Sequence, residues 1–98
     1  MLADLFRIIE SRAQTKPPGS YTARLLEMGE DEILKKVGEE AMEVLLAAKA
    51  QGSDRLVEEI ADLFYHTLVL LAAKGLTLDD VDQELRRRHQ AAGTEENV

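Results

Sequence analysis

Two acidic residues stand in a stretch of sequence where a helix has every reason to be apolar. Between Leu56 and Ala73 the chain is apolar on nearly every side, yet Arg55, Glu59, Asp62 and His66 share one stripe through it. A carboxylate in apolar surroundings loses several kcal/mol of hydration unless something compensates, and here two lie one turn apart on one face. A cation is called for. The i, i+3 spacing points both carboxylates the same way from successive turns, so that both reach one ion or an adjacent pair. A second pair, Glu40 and Glu43, repeats that spacing on the flank of the stripe formed by Val37, Ala41, Val44 and Ala48, with Lys36 beside it and Glu39 further round. Four carboxylates at one level would raise each other's pKa unless neutralised. Hard oxygen donors with few His and no Cys select Mg²⁺, Mn²⁺ or Ca²⁺ over zinc, and Mg²⁺ is favoured where water and substrate phosphate complete the shell.

The elements that must position these groups are helices. Residues 2–14 carry Leu2, Leu5, Phe6, Ile8 and Ile9 on one side, predicting a short first helix. Pro17, Pro18 and Gly19 stop it, and Ser20 or Thr22 is the expected cap of a brief helical segment ending near Gly29. A long helix is expected from Glu30 to Gln51, with Gly52 as its stop. The next, capped by Ser53 or Asp54, runs to Lys74 and should be buried almost all round. Hinged at Gly52, the two form an antiparallel hairpin. Glu43 lies nine residues before that turn, Glu59 and Asp62 seven and ten after it, so the acidic pairs meet at one level. Thr77 and Asp80 read as a capping box opening a last amphipathic helix, and the Arg86-Arg87-Arg88 run suits its C-terminal end. The expected class is all-α, a helical bundle built on the hairpin and completed by dimerisation. It occupies residues 1–90, followed by a flexible tail over 91–98.

Each feature also has a plainer reading. Glu39, Glu40 and Glu43 suit a solvated helix face on which Lys36 pairs with Glu40. Glu59 can be a buried ion-pair partner of Arg55, although one Arg does not neutralise two acids and their neighbours. A lone His on an apolar helix is more often a hydrogen-bonded core residue than a ligand, which leaves His66 outside the catalytic set. A di-iron carboxylate bundle needs Glu-x-x-His on two helices, and Leu63 and Arg86 stand where those glutamates would be.

A formal charge of -7 argues against nucleic-acid binding, since a phosphate backbone is gripped by excess Lys and Arg. An acidic protein binds phosphate through a divalent cation instead. The N-terminus, with Asp4 and Arg7 among its first residues, lacks the apolar core of a signal peptide, so a cytoplasmic protein without membrane association is expected.

The run Lys36-Val37-Gly38-Glu39-Glu40-Ala41-Met42-Glu43, followed by Glu59-Ile60-Ala61-Asp62-Leu63, resembles the E-E-x-x-E … E-x-x-D signature of the all-α NTP pyrophosphohydrolases, the MazG-like superfamily. Within it, Gly19-Ser20-Tyr21-Thr22 with Leu25-Leu26, and Ala61-Asp62-Leu63-Phe64-Tyr65-His66 with the apolar run after it, look like the phosphoribosyl-ATP pyrophosphatases of histidine biosynthesis. The resemblance covers roughly residues 3–90. It implies Mg²⁺-dependent hydrolysis of phosphoribosyl-ATP to phosphoribosyl-AMP and pyrophosphate by a homodimer, with water attacking near the α/β bridge and no covalent nucleophile. Carried over by motif position, Glu40, Glu43, Glu59 and Asp62 would bind metal, and Glu39 would join as ligand or water-orienting base beside Glu40. Ser20, Tyr21, Thr22 and Lys36 would contact phosphate or ribose. Lacking cysteine for zinc, the chain is expected to be the stand-alone form rather than one fused to the cyclohydrolase of the next step. Hydrolysis of an ordinary or damaged nucleoside triphosphate is the rival within the superfamily, and a non-catalytic helical oligomerisation module the rival outside it.

Overall fold

The computed structural model of the chain describes residues 1–92. They form five α-helices: α1 (Leu2–Thr15), α2 (Tyr21–Met28), α3 (Glu30–Ala50), α4 (Ser53–Ala73) and α5 (Leu78–Ala92). No strand occurs among the described residues, in keeping with the expected all-α class. Among the described residues no helix is long and apolar enough to cross a membrane. From residue 93 on, the expected tail lies outside the described residues.

Loop chemistry sets where the helices begin. Ser20 caps α2 as expected, its Oγ accepting from the Ala23 backbone N–H at 3.1 Å. Ser20→Ala is therefore expected to cost about 1 kcal/mol, a fall of about 4–8 °C in melting temperature for a chain of this size, with Ser20→Asp restoring most of it. The connection from α3 to α4 is only Gln51 and Gly52. Gly52, at φ 88° and ψ 167°, makes the reversal in a region where a side chain would be strained. Ser53 and Asp54 do not cap α4, because Gly52 takes the capping position and no side-chain hydrogen bond forms there. At α5 the capping box is reciprocal: Thr77 Oγ1 accepts from the Asp80 N–H at 3.1 Å and Asp80 Oδ2 from the Thr77 N–H at 2.9 Å.

The α3–α4 hairpin makes the most extensive helix–helix contact. Its open end is closed by α1 and α2, where Phe6, Ile9, Leu25, Ile33, Leu68 and Val69 form the buried core. Its turn end has no such cover. Leu45, Leu46, Val57 and Phe64 remain exposed, Leu45 at 63% and Val57 at 66%. The expectation that this long apolar helix would be buried almost all round is thus not met within one chain, since no element of the described residues lies over that side.

Candidate metal centre

Helical phase brings the acidic stripe together. On α3, Lys36 and Glu40 stand one turn apart, Lys36 Nζ lying 3.8 Å from Glu40 Oε1. On α4, Arg55 Nη2 lies 2.8 Å from Glu59 Oε1, while its other terminal nitrogen is 3.6 Å from Glu58 Oε1. Across the hairpin, one oxygen from each of Glu40, Glu59 and Asp62 falls within 4.8 Å of the others. Glu59 is buried at 3% exposure, Glu40 half-buried and Asp62 exposed, so the group opens to solvent on one side.

Burial pushes the Glu59 carboxyl above its ordinary value of 4.5; the Arg55 guanidinium opposes this, and the charges of Asp62, Glu40 and Glu43 add to the rise. The net direction is upward even though Arg55 Nη2 stands against Glu59 Oε1, and the ion-pair reading is correct as geometry. Arg55 keeps half of its side chain in solvent, where its charge is heavily screened. Three carboxylate oxygens gathered at this span, with no sulfur or imidazole among them, could together hold one hard cation.

The remaining candidates divide by position. Glu43 is half-buried and close enough for its charge to act on Glu59, but it is not one of the three converging groups. Glu39 is exposed on α3 and outside that cluster. Lys36 stays at the edge through Glu40. Ser20 Oγ is engaged in the α2 cap, and the buried Thr22 hydroxyl is hydrogen-bonded to Tyr65. Tyr21 is 43% exposed, and its hydroxyl meets His66 Nε2 at 3.0 Å. Sequence reasoning missed this last link. The two residues are far apart in the chain, and neither the i, i+4 pattern of α4 nor the capping pattern of α2 announces the other.

An apolar groove of about 560 Å³ runs between α1 and α5, lined by Leu2, Phe6, Leu78, Val81 and Leu85 among others. It contains none of the acidic cluster.

A family model described as phosphoribosyl-ATP pyrophosphohydrolase matches residues 2–89. The chain belongs to this family. Among similar proteins, the phosphoribosyl-ATP pyrophosphatase of Pelotomaculum thermopropionicum is 58% identical, over 92% of this chain and 92% of that protein. That of Metallosphaera sedula is 51% identical over 90% of this chain and 95% of its own length. The histidine biosynthesis bifunctional protein HisIE of Gloeobacter violaceus is also 51% identical, over 91% of this chain but only 40% of that longer protein. Family membership covers all the residues of the acidic cluster.

Proposed function

We infer that this chain hydrolyses phosphoribosyl-ATP to phosphoribosyl-AMP and pyrophosphate, the second step of histidine biosynthesis, and that Glu40, Glu43, Glu59 and Asp62 hold the Mg²⁺, or Mn²⁺ in its place, on which the reaction depends. The chain is a hydrolase acting on a phosphoric anhydride, and its substrate is a nucleotide. The observation that carries the reading is the family match over residues 2–89, which runs through a buried Glu59 that converges with Glu40 and Asp62.

Bound there, Mg²⁺ would neutralise triphosphate oxygens and make a water molecule at the site more acidic. The chain's residues do the rest. Glu59, held by α4 with its side chain almost wholly buried, gives the site a fixed floor, and Asp62 one turn on is the solvent-facing edge that phosphate approaches. Glu40 joins from α3 and keeps Lys36 within reach of the same phosphates. Glu39, next to Glu40 in the chain and exposed outside the three-oxygen group, joins in this reading as a ligand or as the base that orients the attacking water. Most of the barrier reduction comes from positioning and charge stabilisation, as phosphoryl chemistry requires. Ser20, Tyr21 and Thr22, at the start of α2, border the nucleotide in this reading.

A homodimer completes the assembly. Leu45, Leu46, Val57 and Phe64 expose apolar surface on the hairpin that carries the acids, and a second copy of the hairpin is the cover of matching chemistry. The reaction belongs to the cytoplasm in this reading.

Arg55 competes with metal for Glu59. Arg55→Gln is expected to lower the Mg²⁺ concentration for half-maximal thermal stabilisation several-fold, because Glu59 Oε1 is released and a repelling charge removed. A weaker Mg²⁺ response would instead make Arg55 a support of the site. The substrate assignment is tested by pyrophosphate release from phosphoribosyl-ATP beside a panel of ordinary nucleoside triphosphates. Turnover of phosphoribosyl-ATP in clear preference is expected, and equal or better turnover of the panel would keep the chemistry and discard the substrate.

A further inference from the structure

His66 is buried at 6% exposure, one turn beyond Asp62 on α4, and its two ring nitrogens face partners with opposite demands. Nδ1 lies 2.8 Å from the backbone carbonyl oxygen of Asp62, which can only accept, so Nδ1 carries the proton. In the neutral ring Nε2 is then bare and accepts from the Tyr21 hydroxyl at 3.0 Å. The Tyr21 proton therefore points into the protein, leaving the oxygen lone pairs for whatever lies outside.

Tyr21 is held from several directions although nearly half of it is exposed. Its ring stands 6.2 Å from that of Tyr65 at a tilt of 30°, and edge-on to His66 at 6.0 Å, with the Arg24 guanidinium 6.0 Å from its centroid. The neighbouring Thr22–Tyr65 hydrogen bond pins the same turn of α2 to α4. A core tyrosine would be covered, and a free surface tyrosine would not have its hydroxyl tied to a buried imidazole. Displacement matters too. His66 lies about 6 Å along the helix from Asp62 at 1.5 Å per residue. Tyr21 thus stands beside the acidic cluster without entering it, joined to the Asp62 turn of α4 through His66.

We propose that His66 is a positioning residue that fixes Tyr21 as a wall of the nucleotide site, its hydroxyl oxygen presented as a hydrogen-bond acceptor to a ribose hydroxyl. Phosphate oxygens are themselves acceptors and are refused by an oxygen whose only proton is already committed to His66. Tyr21 accordingly selects the sugar. The inference rests on the hydrolase reading given above.

The test is kcat and KM for phosphoribosyl-ATP with Mg²⁺, for wild type, Tyr21→Phe, His66→Ala, His66→Gln and the Tyr21→Phe/His66→Ala double variant. Each of Tyr21→Phe and His66→Ala is expected to raise KM about fivefold, the scale of one hydrogen bond, with kcat within about twofold of wild type. The double variant should be no worse than either single one, because the two residues act as a unit. His66→Gln, whose amide can donate to the Asp62 carbonyl and accept from Tyr21, should return KM toward wild type. Unchanged KM in Tyr21→Phe, strictly multiplicative effects in the double variant, or a fall in kcat alone would each overturn the proposal. If His66→Ala fails to fold, the KM of Tyr21→Phe decides the matter. A wild type inactive on phosphoribosyl-ATP would end the hydrolase reading and this one together, whereas an active wild type with a silent Tyr21→Phe would end this one only.

Discussion

Glu59→Gln is expected to lower kcat for phosphoribosyl-ATP at least about 100-fold while leaving the metal-free fold as stable as wild type or more stable. Changes one layer removed from a metal ligand already cost about 10–100-fold, so loss of the buried ligand should reach the top of that range or beyond. The fold should tolerate it because Gln keeps the shape and one accepting oxygen for Arg55, whose contact with Glu59 is 2.8 Å. It also removes a carboxylate that burial and three neighbouring acids disfavour. Steady-state kinetics at saturating Mg²⁺ and melting curves in EDTA measure both halves. Wild-type kcat would remove Glu59 from the centre, and a large fall in melting temperature in EDTA would make it chiefly a structural partner of Arg55.

Mg²⁺ is expected to raise the melting temperature of the wild type, by an amount that grows with pH. A ligand confined to the folded state and present at ten times its Kd contributes about 1.4 kcal/mol, or about 6–11 °C for a chain of this size. The sign of the pH effect follows from Glu59. Its folded-state pKa is raised above 4.5, so the metal-free fold takes up that proton more readily than the unfolded chain does. The stability this contributes is fully present below the unfolded value and is lost as pH rises through the folded one. Mg²⁺ requires the carboxylate, so the metal's contribution runs the opposite way and increases through the same window. Melting curves at stepped pH, with EDTA and with Mg²⁺, should diverge for wild type and stay nearly parallel for Glu59→Gln. A Mg²⁺ increment independent of pH, or equal in both proteins, would mean that the ion binds elsewhere.

What the sequence made legible was what depends on local spacing. The steps Val37, Ala41, Val44 and Ala48, the Gly52 stop and the Thr77–Asp80 box each write a helix or its end into neighbouring residues, and α3, α4 and the start of α5 follow them. The meeting of Glu40 with Glu59 and Asp62 was legible too, because a two-residue turn leaves an antiparallel hairpin little freedom of register. Ser53 and Asp54 misled because a cap needs an extended backbone at its own position, and the turn gives that position to Gly52. The Tyr21–His66 and Thr22–Tyr65 links were beyond reach, since they depend on how α2 docks on α4. No periodicity encodes the angle at which one helix crosses another. The uncovered apolar side of α4 is a limit of a different kind: the pattern marks Val57 and Phe64 as wanting burial without saying which chain provides it.

The most direct test of the central claim is pyrophosphate release from phosphoribosyl-ATP by the wild-type protein, followed before EDTA, after EDTA and after Mg²⁺ is restored. Loss of turnover with EDTA, recovery with Mg²⁺, and pyrophosphate as the phosphorus product matching phosphoribosyl-AMP one for one are the results the account predicts. Turnover indifferent to EDTA, or orthophosphate in place of pyrophosphate, would contradict it.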